Sequence, residues 1–459
     1  MTDAHSTETG RCAPPGNEGG NGFPATRSPE SRLNSFQKTM LQWNDLHPYN
    51  AVHAVRIPEA LNCERLNDAI SGTLESHGLT GLKLDRKKGT FCYQGGRAMC
   101  DIQVISGEAN SHDTIGREVE RLLNTDFAVG DCFNPFRFFV APETESACWL
   151  GLAYFHPVAD GHSMVLLLQD IVRSYRERQR PSHCSPLNLY PAAGGLLHHP
   201  RLLAKKLLAL PAQTRNLRCS CRPVFLDAQN CHNGVSWFSL KPEALGSLLE
   251  AGQAWEVTVN DLFLALLMKA VSPLASGRTG AARRRKISVG SIVNLRNDLE
   301  LDSGRNFGLF LGSFVVTHEV PDEMTLPELA KEIRRQTLAL KNDRLYMASS
   351  LDLALGRLAV SFFSAERRMK FYQKHYPLWG GVTNMNLNTL WPQRDGEDPV
   401  NYLRAVSTGP ATPLVLSVTT IGKVVNIALT HRSTVFPASA VAQIRHYLVD
   451  TLTHLQAYV

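Results

Sequence analysis

The chain has 459 residues, 43% of them apolar and 20% charged, which excludes global disorder and supplies a large core. Length alone suggests two or three domains. The formal net charge of +6 is too mild for a nucleic-acid binder, whose basic residues crowd one face, and suits an anionic ligand better.

In chain order, residues 1–31 are rich in Gly, Pro, Ser, Thr and Asn and lack the apolar core of a signal peptide, so they read as a mobile tail. LNSFQKTMLQWNDLHPYNAVHAVRI (33–57) predicts a short helix, a turn at His47-Pro48, then an alternating strand. Asn62 to Ser76 reads as a helix with Leu66, Ala69, Ile70 and Leu74 on one face. Strand-like pieces fill 91–105, and Ser111 to Leu123 is an amphipathic helix. FRFFVAPE and ACWLGLAYF (136–155) are two strands, the second apolar enough to be covered on both faces. HSMVLLLQDIVRSYRER then continues as a helix.

Residues 181–234 are irregular and carry a basic Leu-rich helix at 196–218, with Leu203, Leu207 and Leu210 at helical spacing. It is either a connector packed on its own protein or a segment lying on a membrane surface. Cys219, Cys221, Cys231 and His232 lack a CxxC pair and read as loop residues, not a zinc site. The ten cysteines, without short paired spacings, fit reduced thiols in a cytoplasmic protein. The second half repeats the alternation. VSWFSL is a strand, TVNDLFLALLMKAV (258–271) a helix too apolar for a surface, and RRRKISVGSIVNLR (283–296) a basic turn and a strand. GLFLGSFVVTHEV is a strand, and helices follow at 326–340 and 350–363. GGVTNMNLN, YLRAVST, TPLVLSVTT and KVVNIALTHR are four strands, and a last helix runs from Pro437 to Ala457. The expected organisation is a tail (1–31), a first half (32–195), a crossover (196–234) and a second half (235–459), each half of mixed α/β character with one sheet. No apolar run reaches the ~18 residues of a membrane span.

GLAYFHPVADGHSMV (151–165) concentrates the chemistry. His156 stands where a buried strand ends, so it can face a cleft between the halves. A neutral imidazole there can take a proton from a hydroxyl or an amine. Asp160 sits four residues on, placed to fix the turn or bind an arginine. Gly161 permits a bend, and the helix that starts there brings its amides and positive dipole end near a developing oxyanion. The bland reading is a core histidine and an ordinary helix cap. GHSMV is a near miss to the G-x-S-x-G elbow, but Val165 replaces the glycine that relieves crowding, which argues against Ser163 as a nucleophile.

FHPVADGHSM resembles the HHxxxDG motif of the superfamily that includes chloramphenicol acetyltransferase, condensation domains, wax ester synthases, polyketide-associated acyltransferases and the plant BAHD enzymes. TVNDLFLALLMKAV, SVGSIVNLR followed by NFGLFLGSF, and GVTNMNLN followed by PLVLSVTTIGKVVNIALTHR resemble later family elements in the same order. The resemblance covers residues 33–457. It implies an α/β, pseudo-dimeric chloramphenicol acetyltransferase-like fold: two related halves, mixed sheets flanked by helices, and a channel between them. It implies His156 as catalytic base, Asp160 and Gly161 as the remaining motif residues, and Arg296 as the salt-bridge partner of Asp160. The first motif histidine is Phe155 here, as in branches that keep only HxxxD, and the plant DFGWG motif is absent.

Asn384, Asn386, Ser417 and Thr419 are further substrate-binding candidates, or simply strand residues. Arg283, Arg284, Arg285 and Lys286 either meet donor phosphates or form a solvated turn. The expected activity is acyl transfer from a CoA or carrier-protein thioester to an alcohol or amine, with no covalent enzyme intermediate, metal or redox cofactor. The expected partners are that donor and a small-molecule acceptor, with an acyl carrier protein or a membrane surface as further candidates, but no nucleic acid; both halves in one chain suit a monomer. The alternatives are a non-catalytic docking module and a lipid-directed wax ester or diacylglycerol synthase.

Overall fold

The computed structural model describes residues 9–11, 28–98, 100–105, 111–178, 186–191, 200–227, 230–278, 280–392 and 401–458. Residues 1–8 and 12–27 of the expected tail, and 192–199 before the Leu-rich helix, lie outside them. Thr9–Arg11 pairs as an edge strand with Ile102–Ile105 and Ser31–Arg32 pairs with Thr90–Tyr93, so these parts of the expected tail are strand.

The first six-stranded sheet runs in the order Thr9–Arg11, Ile102–Ile105, Phe136–Thr144, Ala147–Phe155, Asn50–Ile57, Tyr402–Val406. Every residue of Ala147–Phe155 is buried, and the reason is period-two alternation between two covered faces. Leu150, Leu152 and Tyr154 pack with Met164, Val165 and Leu168 of the helix Gly161–Glu177. Trp149 and Ala153 pack with Ile115 and Val119 of the helix Ser111–Leu123. Gly151 stands on the second face beneath the Phe139 ring, where a Cβ would lie 1.9 Å from the ring edge.

The second six-stranded sheet runs in the order Asn233–Leu240, Val424–Arg432, Leu414–Ile421, Gly380–Asn386, Ile287–Asn294, Leu311–His318. Gly380–Asn386 is parallel to both its neighbours. The helix Val259–Val271 starts from a Thr258–Asp261 capping box and is buried almost throughout. Among the described residues no single helix is long and apolar enough to cross a membrane. One pair passes on composition, Pro242–Ala254 with Val259–Leu274, but it is bent by 99°, and its second helix fills the core.

Three features differ from the sequence expectation. The halves do not keep separate sheets: Tyr402–Val406, from the second half, pairs antiparallel with Asn50–Ile57 of the first. Helices Pro242–Ala254 and Ala365–His375 occupy segments with no helix expected. The helix expected over 350–363 is Ser349–Ala359. The overall arrangement is nonetheless the two-half α/β one.

Candidate active site

The strand Ala147–Phe155 ends against Pro157, whose missing N–H cannot continue a ladder, and the chain turns through His156–Val158 as a short 3₁₀ turn. His156 is held on three sides. Its Nδ1 lies 3.1 Å from the Ala159 carbonyl. A carbonyl only accepts, so Nδ1 carries the proton and Nε2 keeps its lone pair. Tyr49 stacks on the ring at 5.5 Å and Tyr154 meets it edge-on. Burial lowers its pKa, the Ala159 carbonyl and Asp160 oppose that, and Arg404 adds to it. The net direction is downward, so the ring is neutral at pH 7. His156 lines a cavity of about 1070 Å³ between the halves, and its Nε2 has no protein partner among the described residues.

Asp160 caps the helix Gly161–Glu177, its Oδ1 accepting from the Ser163 amide at 3.0 Å and the Ser163 hydroxyl at 3.1 Å. Arg296 donates to both carboxylate oxygens, at 2.8 and 3.0 Å, and the Phe310 amide donates to Oδ2 at 2.9 Å. Arg296 is fully buried, and Asp160 nearly so. Its remaining N–H groups reach Asn294 Oδ1, Ser163 Oγ and the Asn306 carbonyl, and it lies over the Phe310 ring. Burial raises the Asp160 pKa, but Arg296 and the two amides outweigh it and hold the carboxyl below its ordinary value. A carboxylate so occupied has no lone pair left for substrate. Asp160 is thus a positioning residue that clamps the two halves, tied to the arginine named for it from sequence.

The bend expected at Gly161 is absent. This glycine is the first helical residue and not among the glycines with positive φ, so no bend depends on it. A Cβ there would lie 3.3 Å from Met385 Cε and 3.4 Å from His53 Nε2; its smallness allows close approach. Its amide precedes the first intrahelical bond, Met164 to Asp160, as in any helix start. Ser163 is fully buried, with its hydroxyl shared among Asp160, Arg296 and Gly308, which removes it as a nucleophile.

Of the four substrate-binding candidates, Asn384 lines the cavity. Asn386 is exposed and accepts from the Asn388 amide. Ser417 and Thr419 lie on a strand buried at every position, and Arg404 covers Thr419 by donating to its hydroxyl at 3.3 Å. None of these three lines the cavity. Arg404 was missed from sequence. Standing alone in an apolar strand it gave one signal, a charge where alternation demands burial. It is 6% exposed, bonds only neutral oxygens of Thr383, Val418 and Thr419, and burial lowers its pKa to about 10. His53, its cross-strand partner, was missed too. Its Nδ1 meets the Tyr402 hydroxyl at 2.7 Å and its buried Nε2 has no partner. Among the described residues no cluster of three or more His, Cys, Asp or Glu has metal-binding geometry; Cys231 Sγ accepts from Arg432.

No family model matches the chain, and no curated protein matches it. Solved structures do. The first condensation domain of the CDA synthetase aligns with a TM-score of 0.63 at 15% identity, over 94% of this chain and 97% of that one. The epimerization domain from the third module of tyrocidine synthetase B gives 0.61 at 16%, over 96% and 100%. Polyketide synthase associated protein 5 from Mycobacterium tuberculosis gives 0.59 at 15%, over 93% and 99%. With the motif turn, the Asp160–Arg296 clamp and the cavity between the halves, these likenesses give the chain the fold of the condensation-domain-like superfamily, the pseudo-dimeric chloramphenicol acetyltransferase-like architecture.

Proposed function

We propose that this protein is a thioester-dependent acyltransferase with His156 as its general base. One observation carries the reading: the bare Nε2 of a neutral, immobilised imidazole faces a large cavity between the halves. His156 Nε2 takes the proton of an acceptor O–H or N–H as that oxygen or nitrogen attacks the thioester carbonyl carbon. The carbonyl oxygen gains the negative charge, beside the helix start at Gly161. Collapse breaks the carbon–sulfur bond, and the departing thiolate takes the proton from His156. Asp160 and Arg296 position the turn, and Asn384 contacts substrate.

The test is thiol release from a panel of acyl-CoA and carrier-bound thioesters with alcohol and amine acceptors, for wild type and His156→Ala. Acceptor-dependent release that falls by about 10²–10⁴-fold in the variant supports the mechanism. Release unchanged in the variant removes His156 as base. A second reading, a docking module, is favoured by another structural neighbour, the X-domain from teicoplanin biosynthesis, at a TM-score of 0.56 and 15% identity. That domain is also solved in complex with OxyB. The docking reading requires silence from wild type with every donor.

A further inference from the structure

Eight side chains lining the cavity are Lys or Arg, and two, Asp160 and Asp352, are acids. Both acids are taken, by Arg296 and Lys206. Arg404 lies deep in the seam. The other five, Arg218, Arg222, Arg283, Arg284 and Lys374, have no carboxylate partner among the described residues. Three distant segments bring them together: the end of the helix Pro200–Cys219 and the turn after it, the turn before Ile287–Asn294, and the end of the helix Ala365–His375. Arg284 donates to the Ser220 carbonyl at 2.8 Å and Arg222 to the Lys374 carbonyl at 3.2 Å. The neighbouring His375 has its pKa lowered by burial and then by Lys374, Arg222 and Arg218. Cations crowded without an anion repel one another, and an anionic ligand relieves that repulsion.

The cluster and His156 lie at opposite ends of the channel. Arg283 and Arg284 precede the strand Ile287–Asn294, and Arg296, bound to Asp160, follows it. Lys374 precedes the parallel neighbour Gly380–Asn386, whose Met385 lies against Gly161 at the far end. Gly290, Ser291, Gly381 and Thr383 line the cavity between these ends. Eight strand residues span roughly 25 Å.

We propose that this cationic end binds the phosphates of a coenzyme A thioester, and that free acyl-CoA, not a carrier-bound thioester, is the donor; the proposal rests on the acyltransferase reading. A pantetheine arm is about as long as four residues of extended backbone, roughly 14 Å from phosphate to sulfur. Long arginine side chains leaning into the channel cover the remaining distance to His156. Coenzyme A carries a diphosphate and a ribose phosphate, whereas a carrier-bound arm ends in one phosphodiester. A cluster of this many unpaired cations matches the more highly charged of the two.

Calorimetric titration with coenzyme A, dephospho-coenzyme A and pantetheine tests this on wild type and an Arg218→Ala/Arg283→Ala/Lys374→Ala variant. None of these three side chains makes a hydrogen bond within the described residues, so folding is not at stake. Coenzyme A is expected to bind at least about tenfold more tightly than pantetheine, with dephospho-coenzyme A between them. The variant weakens coenzyme A binding about tenfold or more, leaves pantetheine unchanged and flattens the salt dependence. Equal affinities for coenzyme A and pantetheine, or a variant that binds coenzyme A like wild type, overturns the proposal. So does an acyl carrier protein that binds wild type but not the variant while coenzyme A fails to bind. Binding is read independently of turnover: tight coenzyme A binding without acyl transfer defeats the acyltransferase reading and leaves this site standing.

Discussion

The Asp160 carboxylate accepts hydrogen bonds from the Ser163 amide and hydroxyl, both Arg296 amino groups and the Phe310 amide. Those donors come from the motif helix, the end of Ile287–Asn294 and the loop that follows, so one side chain ties the halves across the channel. Its energetic value lies in the pairing. Removing one member leaves the other as a buried, uncompensated charge, at a cost of about 3–5 kcal/mol. Asp160→Ala is therefore expected to lower unfolding free energy by that amount in chemical denaturation, because Arg296 keeps only neutral acceptors at Asn294, Ser163 and Asn306. A change under about 1 kcal/mol would mean that the clamp contributes little and that the halves are held by apolar contact alone.

The helix Pro200–Cys219 forms one wall of the channel, through Leu210, Gln213, Thr214 and Leu217. Sequence alone identified the helix and aligned Leu203, Leu207 and Leu210, yet Leu207 is half exposed and the buried residue is Lys206. Its amine bonds Asp352 at 2.5 Å and Gln213 at 2.9 Å. Nothing local to 196–218 announces that, because the partner lies 146 residues away. The same limit explains the other misses. His156, Asp160 and Gly161 were legible because their relation is local and repeats a known pattern. Arg404 and His53 acquire meaning only when strands distant in sequence pair; of the basic cluster, Arg283 and Arg284 stood out locally as phosphate candidates, and only the fold adds Arg218, Arg222 and Lys374 to them. The ion pair makes the helix testable. Asp352→Ala strands the Lys206 amine, so the helix should open locally, and tryptic cleavage within 200–219 should speed up at least about tenfold. Asp343→Ala, which removes the exposed partner of Lys205, should leave the rate nearly unchanged. Equal rates in all three proteins would show that the wall is held by its apolar contacts.

At the scale of the whole molecule, the halves are interlocked. Tyr402–Val406 leaves the second half to edge the first sheet, in register with Ala51–Val55, a pairing over nearly 350 residues that chain order could not reveal. Closing the halves this way buries imidazoles in the seam and beside it. His47, His53, His156, His162 and His431 all have pKa values lowered, with burial the largest cause in each and His431 reaching about 4. The unfolded chain has these groups near 6.5, so below that pH unfolding takes up protons that the folded state refuses. Their stabilising contribution is fully present above pH 6.5 and is lost as the pH falls through the window between 6.5 and the folded values. The carboxylates titrate lower, and Asp160, held below its ordinary value, loses its contribution only in stronger acid. The urea midpoint should thus fall between pH 7 and 5, with a slope of up to about 1.4 kcal/mol per pH unit for each proton taken up. His431→Gln should reduce the slope without moving its onset. A midpoint that stays level from pH 7 to 5 would mean that these rings already bind protons in the folded protein, and would also remove the neutral His156 on which base catalysis depends.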